Sequence, residues 1–238
     1  MKRAIVVGAS SGIGFELARI LAREGYYVGV TGRRIELLEK LKAEFADLVF
    51  VKEMDVSQSE RAASQLRELI GEMGGLDLLV ISAGVGFVNP ELSWDKEKAT
   101  IDTNVTGFAV VANVGMEHFV GQKTGHLVNI SSLAALRGSG DAPAYSASKA
   151  FSSNYMQGLR QKVTRLGLPI TITDTQPGFV DTAMAKSDKL FWMASAEKAA
   201  QQIYSAIKNR RSHAYVTRRW RVVAWLLRNV PDRIYNRL

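Results

Sequence analysis

Ala4-Ile5-Val6-Val7-Gly8-Ala9-Ser10-Ser11-Gly12-Ile13-Gly14 is the stretch on which the fold turns. Ala4 to Val7 is a short apolar run of the kind a buried strand shows. From Ile13 onward, apolar residues at 13, 17, 20 and 21 take helical spacing. The junction carries glycines spaced G-x-x-x-G-x-G. Gly8, at the strand end, permits a tight turn, and Ala9, Ser10 and Ser11 are small enough to let backbone approach a ligand. The helix start at Gly12, Ile13 and Gly14 offers N–H groups and the positive end of a dipole to a pyrophosphate. An ordinary glycine-rich turn has the same composition. Its place directly after the first strand is what favours a dinucleotide.

Working outward, short β-branched runs alternate with longer helical patterns. Strands are expected at 4–8, 27–31, 48–53, 76–81, 125–131, 170–175 and 214–217. Helices are expected at 13–24, 34–45, 57–73, 94–119, 146–167 and 196–208. Several strand runs are apolar throughout, which suits a parallel sheet covered on both faces. Gly25 marks a helix stop after Glu24, and Ser57 offers an N-cap after Asp55-Val56. The alternation predicts an α/β fold: a Rossmann-type doubly wound parallel sheet of about seven strands, with helices on both faces. One catalytic domain is expected over 1–217, followed by a basic extension over 218–238.

Composition narrows the chemistry. The 238 residues are 47% hydrophobic and 23% charged, which fits a folded globular chain. The absence of cysteine excludes disulfides, thiolate metal sites and cysteine nucleophiles. His118, His126 and His213 are too scattered for a histidine metal site, so no metal is expected. No apolar run approaches the roughly 18 residues of a spanning helix, and the apolar run before Gly8 is too short for a signal-peptide core. A cytoplasmic protein is the expectation. Nine of the 31 Lys and Arg residues, but only one of the 23 acids, lie in residues 208–238. That segment therefore holds a net +8, the charge of the whole chain. The first 207 residues are balanced, which argues against a nucleic-acid surface across the body.

The second strand ends Thr31-Gly32-Arg33-Arg34. An NAD site would place an acid there for the ribose 2′-hydroxyl. Gly32 instead leaves room and Arg33 can pair with a 2′-phosphate, so NADP(H) is expected over NAD(H). Arg34 either stacks on adenine or is solvated. Asp55 and Val56 are candidates for the adenine edge, though Asp55 reads equally as only a turn or capping acid. Further on, Tyr145 and Lys149 stand at i and i+4, one above the other on a helix. An ammonium beside a phenol favours the phenolate, giving a general acid/base nearer neutrality. Ser132, after the strand at 125–131, can donate to a substrate oxygen. Asn104 is a poor helix filler, and a buried polar partner or a kink with bound water would explain it.

Taken together, Gly8-x-x-x-Gly12-x-Gly14, Asp55-Val56, Ala83-Gly84, Asn104, Ser132, Tyr145-x-x-x-Lys149 and Pro177-Gly178 strongly resemble the short-chain dehydrogenase/reductases. The likeness covers residues 4 to about 208 and is closest to the compact carbonyl reductase and alcohol dehydrogenase branch. It implies the strand order 3-2-1-4-5-6-7 and hydride transfer between a nicotinamide and a carbonyl or alcohol carbon. Tyr145 would move the oxygen-bound proton, Lys149 would hold the nicotinamide ribose, and Ser132 would orient the substrate oxygen. Asn104 would hold a relay water, while Pro177, Gly178, Val180 and Thr182 would contact the carboxamide. Homodimers or homotetramers pairing through helices 94–119 and 146–167 are implied as well. Ser82 departs from the family's usual Asn before Ala83-Gly84. A non-catalytic dinucleotide-binding regulator of the same fold is the alternative.

Met184, Leu190, Phe191, Trp192 and Met193 read either as an apolar lid or as core cover, with Phe87 and Val88 adding to that wall. The substrate is expected to be an apolar ketone or alcohol, an acyl or lipid-like molecule. Residues 218–230 read as an amphipathic helix stopped by Pro231. Trp220, Val223, Ala224, Leu226, Leu227 and Val230 share one face, and Arg218, Arg221, Arg228 and Asn229 the other, with Arg219 and Trp225 as exceptions. Such a helix suits either an anionic membrane surface, making the enzyme peripheral at the inner face, or packing on the body. Nucleic acid is the least favoured partner.

Overall fold

The computed structural model describes residues 1–181 and 192–237. Strands β1 (Arg3–Val7), β2 (Tyr27–Gly32), β3 (Val49–Glu53), β4 (Leu78–Ile81), β5 (Gly125–Ile130) and β6 (Ile170–Pro177) lie in one parallel sheet with a seventh strand, His213–Val216. A separate two-stranded ladder, β7 (Val180–Asp181) with β8 (Ala194–Ser195), comes between them in sequence, so His213–Val216 is β9. The sheet order β3-β2-β1-β4-β5-β6-β9 is the expected 3-2-1-4-5-6-7. The sequence did not signal the β7–β8 ladder, whose two-residue strands are too short for any periodicity.

Helices α1 (Gly12–Arg23), α2 (Ile35–Phe45) and α7 (Ala196–Lys208) cover one face. Helices α3 (Ser59–Glu72), α5 (Phe108–Gly121) and α6 (Pro143–Arg165) cover the other. Each strand feeds both layers. In β1, Ala4 and Val6 join the first core, while Ile5 and Val7 join the second. That strict alternation on a strand with two buried faces is why the runs are apolar throughout.

Three local readings are corrected. Pro143 opens α6 earlier than expected, because its fixed φ and missing N–H suit a first helical position. Residues 94–119 are not one helix. Helix α4 (Trp94–Ile101) passes through a π-helical segment, Asp102–Gly107, before α5. Ser57 is not an N-cap: its N–H and hydroxyl both donate to Asp55 Oδ1, at 3.0 and 2.8 Å, closing an Asx turn ahead of α3. Gly25 does end α1: with φ +81° it makes a Schellman turn in which the Tyr26 N–H donates to Leu21 O. After β9 the chain turns into α8 (Trp220–Asn229) and a short α9 (Asp232–Tyr235).

Candidate active site

The carboxyl ends of β1, β2, β4, β5 and β6 converge where the strand order reverses, the usual ligand crevice of a doubly wound sheet. The glycine turn forms its floor. Gly8 and Ala9 spend their N–H groups on Thr31 O, each at 2.9 Å. Gly8 has φ +88°, and a Cβ there would lie 2.5 Å from Ala83 N. A Cβ on Gly14 would lie 2.2 Å from Gly8 O. These contacts account for both glycines before any ligand is considered. Beyond them, Ser11 makes no side-chain cap to α1, and the first turn of that helix contains no acid. The uncapped N–H groups of this turn and the dipole end are therefore open to an anion. A dinucleotide pyrophosphate fits this cradle.

At the end of β2, Gly32 is buried, and a Cβ there would sit 3.3 Å from Ser10 Oγ. Arg34 is exposed but is not merely solvated. Its Nη2 donates to Ser10 Oγ at 3.1 Å and to Ser11 Oγ at 2.7 Å, which draws the guanidinium onto the glycine turn. Arg33 is exposed beside it. The end of β2 thus carries two exposed arginines, one of them bonded to the serine hydroxyls of the glycine turn. Asp55 commits one carboxylate oxygen to Ser57, and Val56 is buried in the core below.

The catalytic candidates meet at the ends of β5 and β4. Ser132 caps the 3₁₀ turn Leu133–Leu136, its Oγ accepting from Ala134 N–H at 3.1 Å. Its hydroxyl is near enough to Tyr145 to favour the phenolate. Tyr145 and Lys149 lie on α6 as expected, with Lys149 Nζ 5.8 Å from the Tyr145 ring centroid. Lys149 is buried, and its Nζ donates to Ile130 O at 3.2 Å. Burial lowers its pKa to about 8, opposed by the negative charge of Asp174. Burial pushes the Tyr145 phenol above its usual value, and only Ser132 works against this. The expected lowering of the phenol by Lys149 is therefore not seen in the free protein, where Lys149 is turned to a carbonyl.

Asn104 sits in the π segment, where such a bulge re-aims a side chain. Its Oδ1 accepts from Val85 N–H at 2.8 Å, while Nδ2 donates to Val85 O at 2.7 Å and to Ser148 Oγ at 3.0 Å. The two Val85 bonds fix the amide orientation. Asn104 thus clasps the loop after β4 to α6, and this is the buried polar partner its place in a helix called for. A Cβ on Gly84 would come within 3.3 Å of both Asn104 Oδ1 and Lys149 Nζ.

Several participants were missed in the sequence. Ser148 holds Asn104, Ser131 Oγ donates to Lys149 O at 3.1 Å, and the Ile130 carbonyl receives Lys149. Asp174, buried on β6, accepts from Asn129 Nδ2 at 2.8 Å, and burial raises its pKa. None of these residue types is unusual at its position, so only the three-dimensional placement reveals them. Pro177 ends β6, Gly178 N–H donates to Val216 O at 2.6 Å, and Val180 begins β7. Thr182, Met184, Leu190 and Phe191 lie outside the described residues. Trp192, Met193, Phe87 and Val88 are exposed rather than core cover. Among the described residues, no group of three or more His, Asp or Glu could hold a metal.

The profile of the short chain dehydrogenase family matches residues 2–191. An uncharacterized oxidoreductase of Myxococcus xanthus is 42% identical over 192 residues, spanning 79% of this chain and 75% of that protein. One from Mycobacterium tuberculosis is 32% identical over 247 aligned positions, 99% of this chain and 96% of its own. Among solved structures, a serine dehydrogenase complexed with NADP+ superposes with a TM-score of 0.80 at 24% identity, covering 90% of this chain and 94% of that one. An actinorhodin polyketide ketoreductase with NADPH gives 0.80 at 25%, covering 96% and 98%. The strand order agrees with these likenesses. The chain belongs to the short-chain dehydrogenase family of oxidoreductases.

Proposed function

We propose that this chain is an NADP(H)-dependent oxidoreductase that interconverts a carbonyl and an alcohol, with Tyr145 as general acid/base. The observation that carries this reading is the grouping of Ser132, Tyr145 and the buried Lys149, one helical turn from Tyr145, beside an open dinucleotide cradle. When bound, the nicotinamide supplies or accepts the hydride. Tyr145 gives its proton to the oxygen of a carbonyl being reduced, or takes it from an alcohol being oxidised. Ser132 donates to the same oxygen and so draws off its developing charge. Lys149 leaves Ile130 O to hold the nicotinamide ribose and to favour the phenolate once Tyr145 has given up its proton. Asn104 keeps one lone pair on Oδ1 for a relay water. Pro177, Gly178, Val180 and Thr182 bound the carboxamide side.

NADP(H) is preferred because no acid stands at Gly32, Arg33 or Arg34, and because Arg34 is already fixed over Ser10 and Ser11. The NADP+ and NADPH complexes of the two solved relatives support this. The exposed side chains of Phe87, Val88, Trp192 and Met193 favour an apolar substrate. Exposed Ile101 and Phe151, on α4 and α6, support pairing of subunits through these helices. The test is turnover of NADPH and of NADH over a panel of ketones and aldehydes of graded chain length. The expected result is NADPH oxidation that strengthens with apolar chain length. Dinucleotide binding without turnover of any carbonyl or alcohol would instead favour a regulator.

A further inference from the structure

Helix α8 has two apolar stripes, and packing explains only one. Trp220, Val223, Ala224 and Leu227 recur at i, i+3, i+4 and i+7 and face the body. Trp220 and Ala224 are buried against Leu133, with Leu136, Tyr215 and Val223 around them. On the opposite side, Val222, Trp225 and Leu226 are 62%, 64% and 48% exposed. A helix that merely covers a core is polar on its outer side. Helix α7 obeys this rule: its exposed residues are Glu197, Lys198, Gln201, Ser205 and Lys208. Helix α8 breaks it with its largest side chains, and exposed Ile234 on α9 follows them.

The charge around this outer stripe is of one sign. Arg218, Arg221, Arg228, Arg233 and Arg237 are exposed, and among the described residues none pairs with an acidic side chain. Asp232, the lone acid of the segment, is taken by Arg137 of the body at 2.9 Å. A tryptophan and branched aliphatics flanked by unpaired arginines match a bilayer interface, with apolar groups entering the acyl boundary and guanidinium groups meeting phosphates. A second copy of this chain would bring the same positive charge against itself. Among the described residues no helix is long and apolar enough to cross a membrane, so the contact is with the surface.

We infer that the outer face of α8, formed by Val222, Trp225 and Leu226 with Arg218, Arg221 and Arg228, docks the protein on an anionic phospholipid bilayer. The inner face of the same helix packs against the Pro177-Gly178 turn. A Cβ on Gly178 would lie 2.2 Å from the Trp220 ring, and the Phe179 and Trp220 rings stand edge to face at 5.3 Å. A bilayer held by α8 would therefore lie on the far side of the helix from that turn. Docking does not depend on the catalytic reading above.

The test is co-sedimentation of the full chain with phosphatidylcholine vesicles, with or without about 30% phosphatidylglycerol. The full chain binds the anionic vesicles, ~0.5 M salt weakens binding, and plain phosphatidylcholine retains little. W225E/L226E, altered only at exposed positions, keeps its melting temperature and binds at least about tenfold less. R221E/R228E, which leaves the apolar stripe intact, shows a similar loss. Equal retention on both vesicle types, or variants that bind like the parent, would overturn the inference. So would a W225E/L226E variant whose change is a lower particle mass in light scattering without any vesicle contact, which would make a second copy the occupant.

Discussion

The two ends of β5 bury titratable groups in different ways. At its start, His126 is buried, and desolvation lowers its pKa to about 4. Its Nε2 lies 2.8 Å from Thr173 Oγ1, whose proton goes to Arg211 O, so the imidazole must be the donor. Every role in that chain is assigned, and the imidazole is held neutral. At the other end, Tyr145 and Lys149 are shifted by the same cause, but Lys149 Nζ holds a 3.2 Å bond to the Ile130 carbonyl, and Ser132 is the one neighbour that works against the rise of the Tyr145 phenol. A displaced pKa alone therefore does not mark a site. What marks it is displacement beside groups whose bonding capacity is unspent and beside a cradle for a second molecule.

The sharpest way to break this comparison is Lys149→Met. If Lys149 serves chemistry at the cost of stability, removing it should lower turnover by about 10² to 10⁴-fold. The melting temperature should hold or rise, since keeping this lysine charged at neutral pH costs the fold roughly 3 kcal/mol. Paired turnover and melting measurements check both. A fall in melting temperature would mean that Lys149 is structural, like His126.

At the other end the effect is on stability and its sign is fixed. The pKa of His126 is lowered on folding, so the unfolded chain binds the extra proton first. Stability is then full above about pH 6.5 and declines as pH falls towards about 4, by roughly 3 kcal/mol in all. Urea melts across that range check it, and His126→Gln should flatten the decline. A smaller effect belongs to the cofactor edge. Arg34→Ala should weaken NADPH about tenfold, the worth of one charge-assisted contact, and leave NADH nearly unchanged. Fluorescence titration of both cofactors separates this from general damage to the glycine turn, which would weaken both equally.

The parallel sheet was legible because β1, β4 and β5 are buried on both faces and read as apolar runs, while its order came from the family resemblance. The glycines were legible from their place after β1 and the Tyr145–Lys149 pair from its i, i+4 spacing, but it is the family resemblance that joins Ser132 to them. The π segment at Asn104 was not, since a register shift within a helix leaves no mark in apolar periodicity. The position of Arg34 was not, because two adjacent arginines are equivalent in sequence and only the hydroxyls of Ser10 and Ser11 choose between them. In α8 the amphipathic pattern of the sequence reads as a single apolar face. The structure splits it, with Leu226 outside beside Trp225 and Trp220 inside against Gly178.

The central claim is that Tyr145 transfers the proton in a site whose cofactor is held by other groups. The measurement that tests it most directly is NADPH affinity and carbonyl turnover on the same preparation of Tyr145→Phe. The account predicts an NADPH dissociation constant within about twofold of the parent and turnover lower by at least about 10²-fold. Turnover near that of the parent, with the phenol hydroxyl gone, would contradict it.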